Sequence, residues 1–199
     1  MRRQQFKYRA FLDMLFGCLL MLIAIIFLLK SSEETTKARP PNVIYEVVLT
    51  WNGKSPTDLD LYVRSAAGNV VSFNNREGGP GSTISLDHDA LGLRNNRLVP
   101  GQEGVITEFH EEIASFRGVT DGENIVTIHS YSFKDKVPIK CTVKLIRVKP
   151  FREVVVKELT FEATGTELTA FRFHTDQYGN VTDINYLEAK LVNPAIGGY

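Results

Sequence analysis

Residues 58–65 read DLDLYVRS. Leu59, Leu61 and Val63 alternate with Asp58, Asp60, Tyr62 and Arg64. Successive side chains of a strand point to opposite faces, so this octet is a strand with one apolar and one polar face. Such a strand belongs to an antiparallel sheet that buries one side only.

The same period of two extends in both directions. YEVVLTW precedes the octet, over residues 45–51. NVVSFNN, STISLDHD, VITEFHEEI, NIVTIHSYSF, IKCTVKLIRV, EVVVKELTFEA and ELTAFRFHTD follow it. Turn-forming stretches separate them: WNGKSPTD, SAAG, REGGPG, RNNRLVPGQEG, RGVTDGE, KDKVP, TGTE and QYGN. Many short strands broken at regular intervals by Gly- and Pro-containing turns predict an all-β, antiparallel β-sandwich. QYGN followed by VTDINYLE predicts a closing hairpin, and EEIASF (residues 111–116) reads as a single helical turn. The sandwich is expected over residues 43–188, with 189–199 an edge segment or a loose tail.

The N-terminal part obeys different rules. Residues 11–29, FLDMLFGCLLMLIAIIFLL, are apolar but for Asp13. About 20 apolar residues span the ~30 Å hydrocarbon core of a bilayer, so residues 11–30 are expected to form a single transmembrane helix. Arg2, Arg3, Lys7 and Arg9 precede it without an acid, whereas Lys30, Glu33, Glu34, Lys37 and Arg39 after it are mixed. By the positive-inside rule, residues 1–10 are a cytoplasmic tail and the C-terminal domain lies outside. A cleaved signal peptide is the alternative, but the apolar run is too long and no A-x-A-like site follows. Residues 31–42, ending in Pro40 and Pro41, form a short linker that stiffens toward its end.

Totals exclude some classes. The 199 residues carry 23 basic and 23 acidic side chains, so bulk charge makes no case for nucleic acid. The two cysteines, Cys18 and Cys141, fall in the span and the outer domain and cannot pair. Cys141 sits in the alternating run KCTVKLI and reads as a buried strand residue.

Asp13, Gly17, Leu20 and Ala24 share one helical face, which carries the only charge and the smallest side chains. Small residues let membrane helices approach closely, so this face is expected to meet another protein. A carboxylate inside a membrane is costly and is by default a functional candidate. It could relay ions against a partner, pair with a partner's cation, or reach the cytoplasmic interface.

Phe11-Leu12-Asp13-Met14-Leu15, with the basic tail before it and an outer domain after it, resembles the B subunit of ion-driven rotary motors, the ExbD/TolR and MotB stator proteins. The resemblance covers some twenty residues. It implies a bacterial inner-membrane protein with a periplasmic C-terminal domain. It also implies two B-type helices inside a pentameric, polytopic A-type subunit, with Asp13 taking up and releasing protons or sodium. The outer domain departs from that family, whose periplasmic domains are α/β. LTWNGKSPTDLDLYVRSAAGNVVSFNN instead is similar to the start of DUF2135/YfaP-like β-sandwiches, through Leu49, Trp51, Asp58, Leu59, Asp60, Leu61, Val63, Gly68 and Val71. That resemblance implies a binding or adhesion module, with the cell wall or a periplasmic protein as ligand.

Asp58 and Asp60 share one strand face, as do Asp87 and Asp89, and their hard carboxylate oxygens make a candidate Ca²⁺ set, or else are solvated acids flanking strands. The spacing is not that of an EF-hand. His88, His110, His129 and His174 are scattered, FHEEI is not H-E-x-x-H and there is no C-x-x-C, which argues against zinc. There is no G-x-S-x-G, and REGGPGST lacks the lysine of a phosphate loop, so no enzyme is expected. Trp51, Tyr62, Phe73 and Tyr131 are either core residues or a carbohydrate-stacking surface.

Overall fold

The computed structural model describes residues 11–23, 25, 42–90 and 109–192. The chain divides into two compact units, residues 1–41 and 42–199.

In the first unit, residues 11–23 and 25 are helical and exposed. Among the described residues no helix is long and apolar enough to cross a membrane. The transmembrane helix expected over residues 11–30 is therefore not shown, and residues 24 and 26–30 of that run lie outside the described residues. So do the tail 1–10, the linker as far as residue 41, and residues 193–199.

The second unit is built of two antiparallel five-stranded sheets. Its strands are β1 (Tyr45–Asn52), β2 (Asp58–Arg64), β3 (Val70–Val71), β4 (Ile84–His88), β5 (Phe109–Phe116), β6 (Gly122–Ser132), β7 (Ile139–Arg147), β8 (Arg152–Phe161), β9 (Glu167–Thr175) and β10 (Val181–Asn185). One sheet runs β4-β5-β1-β7-β8 and the other β10-β9-β6-β2-β3. Their inner faces share one apolar core.

Leu59, Leu61 and Val63 are fully buried in that core, as the alternation of β2 requires. Tyr45, Val47, Leu49 and Trp51 of β1 fill the opposite wall. Phe173 of β9 sits between the sheets, its ring centroid 5.6 Å from Phe116 and 6.3 Å from both Tyr45 and Phe171. Cys141 is buried on β7, and burial pushes its thiol up to about 12. The closing hairpin forms between β9 and β10, where Asp176 Oδ1 accepts the amides of Tyr178 and Asn180.

One local expectation fails. EEIASF is not a helical turn but most of β5, paired with β1 on one side and β4 on the other. The helix preference of Glu and Ala is only a weak prior, and two ladders with Ala114 and Phe116 buried inward override it.

The chain beyond β10 stays attached as far as residue 192. Thr169 Oγ1 bonds the backbone of Ala189, Arg172 donates to the carbonyl of Glu188, and Glu167 Oε1 accepts the amides of Leu191 and Val192.

Candidate functional site

The strand β5 carries an acid where a core residue belongs. His110, Ala114 and Phe116 are buried and pair across the ladder with Trp51, Val47 and Tyr45. Glu112 shares their parity, pairs with the fully buried Leu49, and is itself fully buried. One oxygen has a partner: Glu112 Oε2 accepts the backbone N–H of Leu61 at 2.7 Å. Because β3 pairs only with Val63 and Arg64, this edge of β2 is open at Leu61 among the described residues. A side chain of one sheet thus closes the ladder edge of the other.

Glu112 does not stand alone. Carboxylate oxygens of Asp60, Asp89 and Glu112 lie within 4.8 Å of one another. Asp60 comes from β2 and is buried; Asp89 follows the end of β4 and is half-buried. Burial, and next the charge of Asp60, push the Glu112 carboxyl well above its ordinary value, although the Leu61 amide opposes them. Burial also raises Asp60, against an opposing pull from His129. His129 Nδ1 lies 3.7 Å from Asp60 Oδ2, an ion-pair distance that is too long for a hydrogen bond. Glu112 Oε1 and Asp60 Oδ2 are buried and, among the described residues, accept no hydrogen bond. Chemically, such a group holds either a shared proton or a hard cation.

The structure sorts the four acids expected from the sequence. Asp60 and Asp89 come together, and Glu112 joins them. Asp87 is engaged elsewhere, accepting hydrogen bonds from Ser85 and Ser115 at 2.6 Å and pairing with Arg117 at 2.8 Å. The reason is a β-bulge: the β4–β5 register slips between Leu86 and His88, leaving Asp87 as the extra residue, so simple alternation no longer relates it to Asp89. Asp58 also lies outside the trio, next to a second slip between Asp58 and Leu59. FHEEI has no zinc spacing, and the sequence signal for Glu112 is the period of two that runs through His110, Glu112, Ala114 and Phe116.

The four aromatics divide as well. Trp51 is buried, stacked on His110 at 4.9 Å, with its indole N–H donated to the carbonyl of Thr57. Tyr62 is buried but meets the exposed Phe73 edge-on at 6.5 Å, and Phe73 lies 5.8 Å from the exposed Tyr131. Three rings thus form a patch that Trp51 does not join.

On the N-terminal helix Asp13, Gly17 and Leu20 lie in the described part, and Ala24 outside it. A Cβ added at Gly17 would meet nothing within 4 Å. Phe11, Leu12, Met14, Leu15 and Phe16 around Asp13 are all more than half exposed. No protein-family model, curated protein or solved structure matches the chain.

Proposed function

We propose that the chain is the B-type subunit of an inner-membrane motor driven by protons or sodium. Residues 11–30 cross the bacterial inner membrane once, with the N-terminus cytoplasmic and the sandwich periplasmic. Two copies lie inside a pentameric A-type subunit. Asp13 binds and releases the coupling ion as that subunit turns, and the sandwich transmits force or anchors the complex outside.

The observation that carries this reading is the setting of Asp13. It sits in a helix whose neighbouring Phe, Leu and Met side chains are exposed, surface of a kind that calls for lipid or a partner helix. The open space at Gly17, one turn on, allows a partner to approach on the same face. A carboxylate there is a costly choice for a mere anchor.

The test is ion flux through the full complex in liposomes. With Asp13→Asn the complex is expected to assemble and to lose its ion-driven flux. Unchanged flux in that variant rules the mechanism out.

A second reading makes the helix a tether only and the sandwich a binding or adhesion module. The exposed Phe73 and Tyr131 favour it, since paired aromatics suit carbohydrate or protein ligands. Purification from membranes separates the two readings. A motor subunit brings a polytopic partner with it, and a tether comes out alone.

A further inference from the structure

We propose that Asp60, Asp89 and Glu112 form a Ca²⁺ site that fastens β2 of one sheet to β4 and β5 of the other. The inference does not rest on the motor reading.

The first argument is electrostatic. Three carboxylates lie within 4.8 Å of one another, and two of them are buried. Among the described residues, neither Asp60 nor Glu112 is paired with a lysine or arginine. A buried carboxylate is tolerated when it is paired, protonated or bound to a metal. His129 approaches Asp60, at 3.7 Å.

The second argument is the orphaned oxygens. Glu112 is fully buried and Asp60 nearly so, yet among the described residues Glu112 Oε1 and Asp60 Oδ2 accept no hydrogen bond. A buried acceptor without a partner is destabilising, the more so when charged. The other Glu112 oxygen is held by Leu61 N–H, which fixes the side chain in the cluster instead of letting it turn to solvent.

The third argument selects the ion. All three donors are hard carboxylate oxygens, the set preferred by Ca²⁺ and Mg²⁺ over zinc. Ca–O bonds of ~2.3–2.6 Å let two ligand oxygens lie up to ~5 Å apart, whereas Mg–O bonds of ~2.1 Å draw them within ~4.2 Å. Three carboxylate oxygens that all lie within 4.8 Å of one another fit inside the coordination sphere of a single Ca²⁺. Water completes the coordination shell.

The test is thermal unfolding of the full chain in detergent, stripped with chelator, at pH 7 and constant ionic strength. Added Ca²⁺ at ~100-fold over its dissociation constant is expected to raise the Tm of the β-sheet transition by ~5–10 °C. Mg²⁺ at the same concentration is expected to raise it less. Glu112→Gln keeps an acceptor for Leu61 N–H while removing the charge; its Tm in chelator should exceed that of the parent and should not respond to Ca²⁺. Asp89→Asn, at a half-buried position, should lose the response while folding normally, and it carries the test if Glu112→Gln does not fold. Asp13→Asn should leave the response intact. A parent Tm indifferent to Ca²⁺, an equal response in Asp89→Asn, or an equal response to Mg²⁺ overturns the assignment.

Discussion

Tyr45 and Gly179 are 134 residues apart and joined by a buried hydrogen bond: the Tyr45 hydroxyl donates to the Gly179 carbonyl at 2.7 Å. The bond ties the start of β1 to the β9–β10 turn, and so one sheet to the other. Tyr45→Phe keeps the ring and leaves the carbonyl unsatisfied, so it should cost ~1–2 kcal/mol in urea unfolding. Gly179→Ala should cost at least as much. Gly179 has φ of 77°, and an added Cβ would lie 2.8 Å from Val119 Cγ2.

Phe173 tests the core. It is fully buried and touches aromatic rings from both sheets. Phe173→Ala should destabilise the sandwich by ~3–5 kcal/mol, the loss of a large buried ring plus the cavity it leaves. Val137→Ala, at a position 65% exposed, should change stability by less than ~0.5 kcal/mol in the same assay.

The raised carboxyls predict how stability depends on pH in chelator. Glu112 is pushed well above 4.5 and Asp60 above 3.8, by burial first. The folded state therefore holds protons that the unfolded chain has already released. Their contribution is fully present below about pH 4 and is lost as pH rises through the raised folded values. Urea midpoints from pH 4.5 to 8 should fall for the parent and flatten for Glu112→Gln. A parent profile as flat as the variant's would contradict the reading.

Asp87 predicts the opposite limb. Partial burial pushes it up, but hydrogen bonds from Ser115, Ser85 and Arg117, with the Arg117 charge, outweigh burial and hold it below 3.8. Its contribution is present above that value and is lost as pH falls through the depressed one. Asp87→Asn should remove that acid sensitivity, seen as a shallower loss of stability between pH 4 and 2. At neutral pH the cost should stay within ~1 kcal/mol, because the Asp87 and Arg117 side chains are about one-third exposed and solvent screens the pair.

What the sequence disclosed follows from which forces are local. The alternation in DLDLYVRS places Leu59, Leu61 and Val63 in the core because strand geometry alone sets it. Turn chemistry located the closing hairpin in the same way, with Gly179 at positive φ. Partnership is not local. Nothing in YEVVLTW says that β1 pairs with β5 and β7, or that Leu49 faces Glu112 across the ladder. Bulges then break the parity on which the acidic set depended, separating Asp87 from Asp89. The trio is formed by three segments meeting across two sheets, and its members share no motif.

Strand order has a mechanical meaning. The first strand of the second unit, β1, is not at an edge but in the middle of its sheet, laced to β5 by eight residue pairs and to β7 by seven. Any tension applied to the chain ahead of residue 45 would enter the sandwich at this strand. Drawn lengthwise, β1 moves only if both ladders shear together and the Tyr45 tether to the opposite sheet lets go. An edge strand would peel away one bond at a time. A pull applied to β1 would thus meet the fold where it is most broadly held.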